Sequence, residues 1–392
     1  MKPEARRVVV TGLGVVGPCG IGRDAFWNGL LGPAPLGKRE VHDFDATKWL
    51  GLKEARRTDR FAQMAIAAAE EALEQSGPVG ADPDRSGVLL GTGVGGLITL
   101  EEQVGINIEK GPRRVSPFLV PMMMGNSAAA ALSMRFGWRG PCETTVTACA
   151  ASTHAIGNAA RLIAIGLCDA VMTGGSESSI TSTALAGFGN MTALSPDERS
   201  MPFDKDRNGF VIAEGAAVLI LEEREAALAR GATIIGEILG AASTADAHHI
   251  TAPSPDGSGA VRAMELAIGD AGLQASDIKQ INAHGTSTPL NDAAEAEAIA
   301  KVFGSPGPPV TSTKGITGHA LGAAGALEAA AVLLSMEHAL IPPTAGLVEK
   351  DPDVHIDVVT GEPRPWTPGP TLSNSFGFGG HNGCLVIGVG EI

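Results

Sequence analysis

Three residues of this chain have the type and setting of reacting groups: Cys149, His284 and His319. Cys149 lies in the run Val146-Thr147-Ala148-Cys149-Ala150-Ala151-Ser152. A β-rich stretch at Thr144 to Thr147 precedes it, and small, Pro-free residues follow to about Ile165. A thiol at such a strand-to-helix junction faces unpaired backbone N–H groups and the positive end of the helix dipole, which favour the thiolate. His284 follows an apolar strand in Asn282-Ala283-His284-Gly285-Thr286-Ser287-Thr288-Pro289, and His319 sits among small residues between Lys314 and Gly325. A thiolate can accept an acyl group and so divide one hard step into two easier ones. Two imidazole N–H donors can stabilise negative charge growing on a carbonyl oxygen. That set suits loss of CO2 from a malonyl thioester, where the carbanion forms as an enolate; a cysteine protease needs only one His with an orienting Asn or Asp. Each residue alone has a plainer reading, since a free Cys is commonly a small buried hydrophobe. Cys19, Cys142, Cys168 and Cys384 keep that reading, and His42, His154, His338 and His355 read as surface or packing residues.

The elements that must position these groups alternate along the chain. Val8 to Thr11, Ser86 to Leu90, Asp169 to Thr173 and Ala216 to Glu222 read as strands. Phe61 to Gln75 reads as a helix with Phe61, Met64, Ala65, Ala68 and Ala72 on one face. After about Arg230 the pattern resumes, with strands over Ile234 to Leu239, Ile278 to Ala283 and Cys384 to Val389. Helices are expected near Gly259 to Ala271, Asp292 to Val302 and Gly322 to His338. Such alternation predicts an α/β fold with layers around mostly parallel strands. No linker or low-complexity segment parts the halves, and no internal repeat is visible in the residues. Two halves, 1–229 and 230–392, are expected to share one core.

Composition narrows the class. The chain has 392 residues, 44% hydrophobic and 18% charged, with 52 Gly. The net charge of -14 argues against broad nucleic-acid affinity, so an acidic partner must use a local basic patch. No apolar run reaches the length of a membrane span, and Met1 to Arg7 has no secretory apolar region. Scattered cysteines fit a reduced, cytoplasmic protein better than a disulfide or zinc scaffold. Gly12-Leu13-Gly14-Val15-Val16-Gly17 matches a dinucleotide fingerprint, but Pro18-Cys19-Gly20 follows where a helix should open. A tight turn with close backbone packing is expected there.

In order along nearly the whole chain, these segments resemble the β-ketoacyl-acyl-carrier-protein synthases, elongation type, of fatty acid and type II polyketide synthesis. Further matching runs are Arg56 to Phe61, Ser116 to Pro121, Pro202 to Phe210 and Asn374 to Gly380. The resemblance implies a thiolase-like fold, with two similar halves in a five-layered α-β-α-β-α core, usually a homodimer. It implies Cys149 as the acyl-accepting nucleophile and His284 with His319 as the pair promoting malonyl decarboxylation. Lys314, Glu328 and Asp292 are implied as supporting residues. The backbone N–H groups of Cys149 and Phe378 are implied as an oxyanion hole, with Phe378 as a gate among Phe376, Gly377 and Gly379. Thr286 and Thr288 are implied to line the phosphopantetheine channel. Val94 is implied to limit the depth of the acyl pocket; being smaller than the commoner Ile, it implies that medium or long chains enter. Val94→Phe is then expected to shift chain-length preference.

The implied partner is acyl-carrier protein bearing an acyl or malonyl phosphopantetheine, docked on Lys53, Arg56, Arg57, Arg113, Arg114 and Arg207. Met201 replaces an Arg common in the family, and His381 stands where many members have Thr. No cofactor and no catalytic metal is implied. Asn282, Glu295, Glu328, Ser373 and Asn374 resemble a structural cation site of some members, though a plain hydrogen-bond network explains them as well. The implied activity is condensation of the acyl group with malonyl-acyl-carrier protein. The alternatives are a polyketide ketosynthase subunit (a heterodimer in that case), a thioesterase or acyltransferase, and a non-catalytic chain-length subunit.

Overall fold

The computed structural model describes residues 5–390. Val8–Gly17 carries no charge, and every residue in it is buried, so it forms a strand (β1) covered on both faces. Helix α1 (Arg60–Ser76) buries the expected stripe of Phe61, Met64, Ala65, Ala68 and Ala72. It starts where the Asp59 carboxylate accepts the Phe61 N–H. Next come β2 (Ser86–Gly91), β3 (Cys142–Thr145), helix α2 (Ala151–Ala164), β4 (Ala170–Glu177) and β5 (Gly215–Glu223). The glycine fingerprint serves close packing, as expected, but from within β1: Gly12 to Gly17 continue the strand and form no tight turn. A Cβ on Gly12 or Gly14 would fall within 2.0 Å of the Ala72 or Ala68 carbonyl oxygen of α1.

The C-terminal elements are β6 (Gly236–Ala245), α3 (Ser258–Asp270), β7 (Gln280–Asn282), α4 (Pro289–Phe303) and β8 (Val310–Thr311). They end with α5 (Ala324–His338), β9 (Thr371–Gly377) and β10 (His381–Val389). Strand order discloses a duplication that no residue repeat shows. From the middle of the sheet outward, one arm runs β1-β5-β4-β2-β3 and the other β6-β10-β9-β7-β8. In both arms the first two pairings are antiparallel and the last two parallel. The arms join where Val9 and Val10 pair with Glu237 and Gly236.

The core lies between the arms. Helix α5 is buried all round from Ala324 to Met336, as only an interior helix can be. It packs against α2 and against strands of both arms. Helix α1 covers one outer face and α3 the other, with α4 beside it. The result is five layers, helix-sheet-helix-sheet-helix. Small residues permit this density: a Cβ on Gly91 would meet the Ser152 backbone N at 2.3 Å, so the start of α2 sits on the end of β2.

Candidate active site

Cys149 lies between β3 and α2, two residues before the helix begins. The chain turns into it through Ala148 at φ +49, a left-handed conformation costly for a residue with a side chain. Gly377, at the end of β9, closes against this turn, and a Cβ there would lie 3.0 Å from the Cys149 backbone N. The backbone N–H groups of Cys149 and Phe378 both face the sulfur. The thiol is nevertheless not the thiolate that its place near a helix start leads one to expect. Burial pushes it up to about 12, and the Lys314 charge and the two N–H groups only partly oppose this. Desolvation of a charge at 8% exposure outweighs a helix terminus. Alkylation of Cys149 by a neutral iodoacetamide is therefore expected to quicken about tenfold per pH unit from pH 7 to 9. A rate flat over that range, read by peptide mass spectrometry, would show a preformed thiolate.

The His319 Nε2 lies 3.0 Å from the Cys149 sulfur. Its backbone is held like a strand: its N–H donates to the Val211 carbonyl (2.8 Å) and its carbonyl accepts from Ala213 (3.0 Å). The His284 ring meets it edge-on, centroids 5.4 Å apart. The Cys149 sulfur and one ring nitrogen of each His lie within 4.8 Å of one another. Burial, then the positive Lys314 beside them, lowers both imidazoles well below the usual histidine range, so both are neutral near pH 7. The Lys314 Nζ stands 3.5 Å from the His284 Nδ1 and donates to the His284 carbonyl at 2.5 Å. An ammonium has only protons to offer, so Nδ1 accepts and the proton of His284 sits on Nε2. The His319 Nδ1 is buried with no hydrogen-bond partner, which leaves its tautomer free.

The supporting residues divide into two groups. Lys314 and Glu328 form an ion pair at 1% and 2% side-chain exposure, against His284. Burial raises the Glu328 carboxyl to about 7, with Lys314 opposing the rise. Asp292 does not join that pair. Its carboxylate accepts the N–H groups of Phe203 (2.9 Å) and Ser287 (3.1 Å), propping the turn that carries Thr286 and Thr288. Glu295 accepts the N–H groups of His284 (2.8 Å) and Gly285 (2.7 Å), and Asn374 donates to it at 3.2 Å. Asn282 donates to Ser373 at 3.3 Å, so the residues considered for a cation form the separate pairs Asn282–Ser373 and Asn374–Glu295, with Glu328 held by Lys314.

A cleft of about 640 Å³ opens over these groups, lined by Val94, Cys149, His284, Thr286, Thr288, His319, Phe376, Gly377 and Phe378. Gly379 is set back, its N–H donating to the Ile250 carbonyl at 2.7 Å. Sequence reasoning gave no role to Phe210, whose ring meets His319 edge-on at 5.2 Å, nor to the wall formed by Phe188, Met191 and Thr251 to Ser254. Phe210 lay in a run already singled out; the others carry no local signal. Lys53, Arg56, Arg57, Arg113 and Arg114 are exposed. Arg207 is not a docking cation: it is buried, ion-paired with Asp351 at 2.5 Å and bonded to the Pro289 carbonyl.

Comparison with known proteins agrees along the chain. The family description "Beta-ketoacyl synthase, N-terminal domain" matches residues 34–227, and "Beta-ketoacyl synthase, C-terminal domain" matches 235–348. A "3-oxoacyl-[acyl-carrier-protein] synthase 2" of Synechocystis sp. is 47% identical over 98% of each chain. One of Staphylococcus aureus is 43% identical over the same shares. Among solved structures, a β-ketoacyl synthase from Burkholderia phymatum aligns with TM-score 0.91 at 34% identity, covering 98% of this chain and 99% of that one. The ishigamide ketosynthase/chain length factor aligns with TM-score 0.92 at 33% identity over the same shares. A type II polyketide acyl-carrier protein in complex with its ketosynthase aligns with TM-score 0.88 at 32% identity, covering 98% and 100%.

Proposed function

Because the chain belongs to the β-ketoacyl synthase family and has its thiolase-like fold, we propose that Cys149 carries the acyl group while His284 and His319 promote loss of CO2. The enzyme is an acyltransferase. It condenses an acyl group with malonyl-acyl-carrier protein in fatty acid elongation, giving 3-oxoacyl-acyl-carrier protein and CO2. Identity of 43–47% to 3-oxoacyl-acyl-carrier-protein synthases over nearly the whole chain supports the fatty acid pathway.

The observation that carries the division of roles is the convergence of one thiol and two neutral imidazoles in one cleft. In the first half-reaction the Cys149 sulfur attacks the acyl thioester. The His319 Nε2 takes the thiol proton and returns it to the departing pantetheine thiol. The tetrahedral oxyanion sits between the N–H groups of Cys149 and Phe378. In the second, the malonyl thioester carbonyl accepts from Nε2–H of both imidazoles, His319 now in its other neutral tautomer. The C–CO2 bond breaks, its electron pair forms the enolate, and the α-carbon attacks the acyl group on sulfur. Collapse expels the Cys149 thiolate, which regains a proton from water.

Acyl-carrier protein is the proposed partner, with Thr286 and Thr288 flanking its phosphopantetheine and the exposed Lys53, Arg56, Arg57, Arg113 and Arg114 meeting its acidic surface. The halves are proposed to meet at 229/230, which the repeated strand order supports. A homodimer is proposed through the edge strand β3, supported by exposed Val104, Ile108, Val120 and Val146. Sedimentation showing only monomer at micromolar concentration would remove that reading. No helix among the described residues is long and apolar enough to cross a membrane, and the five free thiols support a reducing, cytoplasmic location.

The test supplies acyl- and malonyl-carrier proteins and follows Cys149 by intact mass. Acylation followed by a 3-oxo product two carbons longer is expected. Release of free acid alone would replace this reading with hydrolysis.

A further inference from the structure

Glu177, the last residue of β4, is fully buried. Its Oε2 accepts the Gly93 N–H at 2.5 Å and the Gly322 N–H at 3.2 Å, and its Oε1 accepts the Ser179 hydroxyl at 2.7 Å. The Val94 N–H also bonds the carboxylate. These donors come from two separate segments. Gly93 and Val94 belong to the loop after β2 and line the cleft. Gly322 lies three residues beyond His319 and leads into α5. The segments touch backbone to backbone: a Cβ on Gly322 would fall 2.0 Å from the Gly93 N, and one on Gly93 would fall 2.7 Å from the Glu177 Oε2.

A buried carboxylate is expensive, and the shape of this site could be filled by an apolar residue. What an apolar residue cannot do is gather N–H groups from both segments. We propose that Glu177 is a positioning residue that ties the loop carrying Val94 to the turn following His319. One carboxylate then sets both the depth of the acyl pocket and the placement of the imidazole beside Cys149. The inference rests on the functional reading above, in which Val94 borders the acyl chain and His319 serves decarboxylation.

The test separates the two steps in the intact enzyme. Acylation of Cys149 is followed by mass over a panel of acyl lengths, and CO2 release is followed from malonyl-carrier protein. Glu177→Ala is expected to broaden the acyl-length preference and to lower kcat for CO2 release about tenfold, with KM changed less than about twofold. Glu177→Gln keeps a carbonyl oxygen for Gly93 and Gly322 and is expected to restore both readouts to within about threefold. Ser179→Ala, which frees only Oε1, is expected to show the same pair of changes in smaller measure, and it decides the matter if Glu177→Ala does not fold. Wild-type acyl preference and CO2 release in whichever of these two folds would overturn the inference. So would a Gln variant as impaired as the Ala variant. A wild-type enzyme that neither acylates nor releases CO2 is a different result, sinking the functional reading and this inference with it.

Discussion

Cys149→Ala is expected to abolish the acyl-enzyme and to lower condensation about 10⁴-fold or more. Nothing else in the chain can take over. Cys168 and Cys384 are buried away from the cleft, and Cys19 and Cys142 lie outside it as well. None of them lines the cleft that holds the imidazoles. The variant should keep its fold, because Ala removes one sulfur at the cleft floor and leaves the Ala148 turn and the Gly377 contact unchanged. It should also keep the second half of the chemistry. His284 and His319 stay neutral, since their low proton affinity comes from burial and from Lys314 rather than from the thiol. CO2 release from malonyl-carrier protein should therefore continue without a condensation product. Intact-mass analysis and a CO2 assay on the same sample check both halves. An acyl adduct surviving on the protein would remove Cys149 as nucleophile, and loss of CO2 release together with acylation would deny that the imidazoles act alone.

How much of this could be read from residues follows from the range of the physics involved. The buried stripe of α1 was legible because it repeats every three or four residues, and the alternation of elements was legible because each carries its own period. The reacting residues were legible because Cys149, His284 and His319 sit in short, unusual contexts. What stayed hidden depends on distant partners. The acid strength of Cys149 was misjudged because a helix start is local information, while the burial that overrides it comes from Gly377 and His319, more than a hundred residues away. Arg207 looked like a free cation until Asp351, a partner 144 positions on, covered it. Strand β9 was quoted as a motif and not recognised as a strand. Its partners β10 and β7 are what make it one, and with it the duplicated strand order appears.

Lys314→Ala tests the network behind the imidazoles, and it is expected to lower stability as well as activity. Lys314 and Glu328 are buried together, so removing the ammonium strands a carboxylate in the core at a cost of about 3–5 kcal/mol. Glu328 has an escape in taking up a proton. Its folded value, about 7 with Lys314 present, lies above the ordinary carboxyl value of 4.5. A raised acid is favourable to the fold below its unfolded value, and that contribution is lost as pH rises through the folded value. Without Lys314 the opposing charge is gone, the folded value climbs above 7, and the carboxyl enters neutral water pH protonated. The deficit of Lys314→Ala against the wild type should therefore be smaller at pH 6 than at pH 8, a comparison read from melting temperatures at the two values. A Lys314→Met/Glu328→Gln pair, which buries no charge, should melt higher than Lys314→Ala at pH 8. It should not recover CO2 release, because the His284 Nδ1 then faces no donor and its proton is no longer held on Nε2. A double variant with both stability and wild-type CO2 release would reduce Lys314 to a packing residue. One with stability alone assigns it the orientation of His284.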